Sequence, residues 1–162
     1  MICRKLLMIT AIIAAVVSTA CSDTTGPNQL PSKGLSLAST PRSGTLHVEK
    51  ECSAYTGRAG DICTITSSTV KEIEAGSRVI YASGASSEGI LDTDVLLDLP
   101  GPGNNAAFGH CTVDLNKIDG TTGCVFSGGT GKFTWFHASV VLSVVGGAVL
   151  AWDGTYSFSP RD

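Results

Sequence analysis

Residues 140–152 read VVLSVVGGAVLAW, and this run decides what kind of fold the chain has. An apolar stretch of this kind suits either a membrane helix or a pair of strands. The central Gly146-Gly147 pair favours two strands, because adjacent glycines readily adopt the positive φ angles of a type I′ turn. We therefore predict a β-hairpin with a two-residue loop.

The hairpin also predicts which side chains lie opposite each other. A loop at Gly146-Gly147 pairs Trp135 with Phe158, His137 with Tyr156, and Val141 with Trp152. One face of the hairpin is then rich in aromatic residues, and the other is mostly apolar. Two apolar faces predict that both are covered, one by the interior and one by a neighbouring element or subunit.

Similar short segments recur along the chain from residue 44 onward, each bounded by Gly, Pro, Asn, Asp or Ser. The expected strands are 44–52, 62–68, 77–82, 90–98, 107–116, 121–127, 132–145 and 148–158. Eight short strands in one domain are typical of an all-β sandwich or a closed barrel. Closure is the commoner way to remove exposed strand edges, so we predict an eight-stranded antiparallel barrel.

The beginning of the chain is typical of a bacterial lipoprotein signal. Basic residues at positions 4 and 5 precede an uncharged apolar run that is too short to span a membrane. Small residues then precede Cys21. We expect residues 1–20 to be removed and Cys21 to carry lipid, which attaches the protein to a membrane surface, with the outer membrane expected. An ordinary secretory signal is the alternative.

Residues 21–43 form a tether rich in Ser, Thr, Pro and Gly, and 44–162 the domain. Loss of the signal leaves nine basic against 14 acidic residues. This mild negative charge, without a basic stripe, argues against a nucleic-acid partner.

Four cysteines remain for the domain: Cys52, Cys63, Cys111 and Cys124. In an oxidising compartment they predict two disulfides, with three possible connectivities. Each hairpin places one symmetric pair within bridging reach, which favours Cys52–Cys63 and Cys111–Cys124. Their spacing matches no C-x-x-C pair, so we expect neither zinc nor another cofactor.

The run GGTGK at 128–132 lacks the first Gly and the Ser or Thr of a phosphate-binding loop, and it predicts a tight turn into a strand. Candidate catalytic groups are few. His137 lies mid-strand beside aromatic residues, and we would test it first together with Tyr156, Glu72 and Asp153. The commoner interpretation of His137 is a core histidine with a satisfied hydrogen bond.

Acidic residues cluster on two predicted strand faces. Alternation places His47, Glu49 and Glu51 opposite Leu46 and Val48. Alternation also brings together the carboxylates of Asp92, Asp94 and Asp98. Such groups can share a proton or bind calcium, but the EF-hand pattern is absent, and a solvated strand face is the favoured interpretation.

The run CVFSGGTGKFTWFHA at 124–138, with WDGTYSF at 152–158, resembles the C-terminal half of the allene oxide cyclase and dirigent proteins. Their G-G-T-G-x-F turn leads into a long strand, and a last strand closes the barrel. The resemblance implies an eight-stranded antiparallel barrel with an apolar lumen, often in dimers or trimers. Some members are cyclases, but no motif carries a catalytic residue of that family onto this chain. Trp135 stands where those proteins usually have a small residue.

These features favour a non-catalytic lipoprotein of the cell envelope that binds a small apolar ligand or a protein partner. An isomerase or cyclase acting in the lumen is one alternative, since such catalysis needs few polar groups. A structural envelope protein, including a homo-oligomer, is the other. A lumen lined by convergent polar groups favours the enzyme, and a lumen filled by side chains favours the structural role.

Overall fold

Eight antiparallel strands form a closed barrel in a computed structural model that describes residues 42–159. The strands are β1 Arg42–Glu51, β2 Ile62–Ser68, β3 Arg78–Tyr81, β4 Ile90–Asp98, β5 Ala106–Asp114, β6 Gly123–Thr130, β7 Phe136–Gly146 and β8 Val149–Phe158. Each strand pairs with the next, and β1 pairs with β8. The predicted fold class is confirmed. Within this part of the chain no helix is long and apolar enough to cross a membrane.

The predicted signal peptide, Cys21 and the tether up to residue 41 lie outside the described residues. Arg42 and Ser43, which the sequence assigned to the tether, belong to β1 and pair with Phe158 and Ser157. Gly128 and Gly129 belong to the end of β6, and the turn into β7 is a short 3₁₀ helix, Gly131–Phe133.

The predicted register of the last hairpin was wrong by one residue. His137 pairs with Ser157, and Val141 pairs with Asp153. The pairing shifts between Val144 and Gly146, so the two-residue loop is Gly147-Ala148, with Gly147 at φ 58°. Side chains alternate between the two faces of a strand. The observed register therefore places on one face the residues of β7 and β8 that the predicted register placed on opposite faces.

In the observed register, aromatic side chains of β7 and β8 pack in the barrel interior. Phe136 pairs with Phe158, and Leu142 pairs with the buried Trp152. Trp135 and Val141, which were predicted to share the aromatic face, are exposed instead, Trp135 by 49%.

The two ends of the lumen differ in their contents. We call one the aromatic end, where Phe126, Phe133, Phe136 and Phe158 pack with ring centroids 5.1–6.2 Å apart. Edge-to-face and tilted contacts of this kind pack tightly and suit the ring quadrupoles. The connection between β2 and β3 adds the buried Val70 and Ile73 to the core.

We call the opposite end the disulfide end, because both predicted bridges lie there. Cys111 and Cys124 are cross-strand partners in β5 and β6. Cys52 follows β1 and is bonded to Cys63 in β2. Both predicted disulfides are confirmed, and each joins neighbouring strands next to the loop that connects them.

Candidate functional site

A lysine side chain points into the lumen at the disulfide end. Lys50 lies on β1 and is only 1% exposed. Alternation along β1 puts it on the same face as the buried Leu46 and Val48. The neighbouring Glu49 and Glu51 lie on the other face and remain partly exposed.

The Lys50 nitrogen contacts a hydroxyl group and two aromatic rings. Its Nζ donates a hydrogen bond to the Tyr81 hydroxyl at 2.8 Å. It also lies 3.9 Å from the centroid of the Trp152 ring. Among the described residues, no carboxylate forms an ion pair with Lys50. A cation–π contact offsets part of the cost of burying a charge, but less than a carboxylate would.

The surroundings therefore favour the neutral amine. Burial without a counter-charge lowers the pKa of Lys50 from 10.5 to about 7. Burial likewise raises the pKa of the Tyr81 hydroxyl, which stays protonated at neutral pH. Near pH 7 about half of the Lys50 side chains carry a free lone pair, which an exposed lysine seldom has.

A cavity of about 30 Å³ lies beside this amine, enough for roughly two water molecules. Its wall is mostly apolar and includes both disulfides. Two lining residues have a buried polar atom without a hydrogen-bond partner among the described residues, namely the Tyr55 hydroxyl and the Trp152 indole nitrogen. Buried polar groups are normally paired, so these two and Lys50 form a site ready to accept a polar atom.

The rim of the cavity lies at the open end of the barrel. Tyr55, Leu115 and Leu150 line it and are partly exposed. Tyr55 belongs to the connection between β1 and β2, and its ring meets that of Tyr81 edge-on at 5.3 Å.

The four candidates chosen from the sequence do not meet at this site. His137 lies on the outer face of β7 and Tyr156 packs against the core at the aromatic end, and both line one open groove on the surface. Glu72 is ion-paired with Arg42 at 2.8 Å. Asp153 lies on β8 and bonds His47 at 2.6 Å. Each of the two carboxylates already has a partner.

The acidic faces are confirmed as outward-facing, and each contains a histidine. The His110 ring lies between Asp92 and Asp94, at 2.6 and 3.0 Å. Hydrogen bonds to Asp94 and Asp92 raise the pKa of His110, and the bond to Asp153 raises that of His47. No group of three or more potential metal ligands occurs in residues 42–159. These clusters are solvated cross-strand pairs.

Sequence reasoning missed Lys50 although a signal was present. Placing Glu49 and Glu51 on the outer face also places Lys50 on the inner one. Charged residues are seldom buried without a partner, so a lysine at an inward position is the signal that mattered. Tyr55, Tyr81 and Trp152 could not be assigned to the same site without the register.

Comparison with known proteins gives no relative: no family model, curated protein or solved structure matches this chain.

Proposed function

We propose that this chain is an exported, lipid-anchored binding protein of the cell envelope, whose barrel holds a small ligand at the disulfide end. The observation that carries the proposal is Lys50, which is fully buried, forms no ion pair with a carboxylate of residues 42–159 and borders a cavity. Burying a lysine in this way costs stability. Strongly perturbed groups in clefts are concentrated at functional sites.

Export and anchoring rest on the sequence of residues 1–21. The two disulfides support them, since such bonds persist in oxidising compartments. Lipid on Cys21 would hold the barrel at a membrane surface, and we propose the outer membrane.

The cavity limits what binds. A volume near 30 Å³ admits a ligand of a few non-hydrogen atoms, or one short arm of a larger molecule. The apolar wall favours an uncharged ligand. The Lys50 amine, the Tyr55 hydroxyl and the Trp152 N–H would bind a carbonyl or hydroxyl oxygen on it.

Trp152 provides the test, since the chain has only two tryptophans. In a Trp135→Phe variant of the full chain, purified in detergent, all tryptophan emission comes from the residue that contacts Lys50. Titration with acetaldehyde, acetone, acetamide and ethanol should give a saturable change in emission for at least one of them. The same titration in Trp135→Phe/Lys50→Met should give no saturable change.

The matched control is Trp135→Phe/Lys71→Met, which removes an exposed lysine and should bind as the Trp135→Phe parent does. The absence of a saturable change with all four compounds, or an equal response in the Lys50→Met variant, would contradict the proposal. Conversion of a bound compound into an isomer would instead support the isomerase or cyclase alternative.

Protein contact is a second candidate, because the outer face of β5 and β6 exposes large apolar side chains. Phe108 is 49% and Val125 58% exposed, and both line a shallow groove. Exposed apolar surface of this kind marks interaction sites. If the groove joins copies of the chain, Val125→Glu should convert an oligomer into a monomer in sedimentation velocity, whereas Val144→Glu should not. A monomeric parent protein would exclude self-association.

A further inference from the structure

Lys50 is placed for chemistry as well as for recognition. It is a buried primary amine with one hydrogen-bond partner among the described residues, the Tyr81 hydroxyl. A carboxylate neighbour would keep the amine protonated, and none forms an ion pair with it in this part of the chain. An uncharged amine in an apolar cavity is a nucleophile.

We propose that Lys50 captures short-chain aldehydes as a reversible imine at the disulfide end of the barrel. This inference rests on the proposed function, and it names the ligand class. The cavity sets the size, since about 30 Å³ suits an aldehyde of one or two carbons and excludes sugars and aromatic aldehydes as whole molecules.

Imine formation needs no reactant other than the Lys50 amine and the aldehyde. The Lys50 nitrogen attacks the carbonyl carbon and forms the C–N bond, while the carbonyl oxygen takes up a proton to give a carbinolamine. Loss of that hydroxyl, with the second amine proton, releases one water and leaves the C=N bond. The Tyr81 hydroxyl, 2.8 Å from Nζ, is placed to pass these protons from nitrogen to oxygen.

The aromatic surroundings suit the product. A protonated imine is a cation, and the Lys50 nitrogen already lies 3.9 Å from the Trp152 ring centroid. The ring face stabilises such a cation, and it does so more effectively in a desolvated site. The apolar wall limits access of bulk water, which would hydrolyse the imine.

Reductive trapping tests this directly. The full chain in detergent is incubated at pH 7 with acetaldehyde and sodium cyanoborohydride, and the ethylated residues are located by peptide mass spectrometry over time. An ordinary lysine is neutral in roughly one molecule in 2,500 at this pH. Lys50 should therefore be ethylated about tenfold or more faster than the exposed Lys71, even though access is slower.

Variants distinguish imine formation at Lys50 from the general reactivity of lysine side chains. Lys50→Met should abolish the fast phase, and Lys71→Met should leave it unchanged. Tyr81→Phe should slow labelling of Lys50 while leaving labelling of Lys71 as it was. Lys50→Met keeps most of the length of the side chain, and a cooperative thermal melting transition in the same preparation should show that its barrel is folded.

The outcomes separate this inference from the proposed function. Saturable quenching of Trp152 by acetaldehyde without faster ethylation of Lys50 would overturn imine formation and leave the binding site. If acetaldehyde causes neither quenching of Trp152 nor faster ethylation of Lys50, imine formation is overturned. The binding proposal is then decided by the titrations with the other three compounds. Fast benzylation of Lys50 when benzaldehyde replaces acetaldehyde would contradict the size limit.

Discussion

The two ends of the barrel are built from the same eight strands, but one is filled by aromatic side chains and the other holds a buried amine beside a cavity. At the aromatic end four phenylalanine rings fill the lumen with edge-to-face and tilted contacts. At the disulfide end a buried lysine, two polar atoms without a hydrogen-bond partner in the described part of the chain, and a cavity lie beside two covalent bridges. The difference indicates that the aromatic end supplies stability, which allows the disulfide end to hold a costly group.

The largest expected effect is at the aromatic end. Phe136→Ala removes a ring that contacts Phe126, Phe133 and Phe158, and it should lower the free energy of unfolding by about 3–5 kcal/mol in chemical denaturation. The neighbouring Trp135→Ala, at an exposed position, should cost well under half as much. Equal costs at the two positions would contradict a stabilising role for the packed rings of the aromatic end.

Removing a bridge should have the next largest effect. Replacing Cys111 and Cys124 together by Ala opens a link between residues 13 apart in sequence. The chain-entropy model predicts a loss of about 3 kcal/mol. The Cys52/Cys63 pair, with a separation of 11, should cost nearly the same. A double replacement that leaves the denaturation midpoint unchanged would show that the bridges do not support this end.

Lys50→Met should stabilise the protein, in contrast to the two preceding changes. It removes a buried amine whose pKa is lowered to about 7, and it should raise the free energy of unfolding at pH 7 by about 2 kcal/mol after loss of the Tyr81 and Trp152 contacts. A destabilised variant would mean that Lys50 serves stability and not binding.

The pH dependence sharpens that result. Between pH 7 and pH 9 the unfolded chain keeps the Lys50 proton, whereas the folded chain releases it. The stability of the parent protein should therefore rise with pH over this window, by about 2 kcal/mol from this group. Denaturation curves of Lys50→Met should lack this rise.

The smallest expected effect is on the outer face. Hydrogen bonds to Asp94 and Asp92 raise the pKa of His110, so its contribution to stability is present below about pH 6.5 and is lost as pH rises through the folded value. Asp94→Asn should lower the pKa of His110 in an NMR titration without a large change in melting temperature. A pKa unaffected by this change would show that the contact does not form in solution.

The sequence allowed the barrel, the strand positions and both disulfides to be predicted, because each depends on local alternation and on turns rich in Gly or Asp. The register of the last hairpin could not be predicted, since Gly146 and Gly147 both suit a turn and the bulge at Val145 leaves no mark in composition. That single shift pairs His137 with Ser157 instead of Tyr156. The alternation of side chains along β1 is enough to predict that Lys50 faces inward, but its partners come from three other segments of the chain.

The most direct test is the titration of Lys50 itself. In the full chain labelled with ¹³C at lysine Cε, NMR spectra from pH 5 to pH 11 should show one lysine signal that titrates near pH 7. The early signal should be absent from Lys50→Met and present in Lys71→Met. If no lysine signal titrated near pH 7, the Lys50 amine would stay charged at neutral pH, and the proposed site would fall.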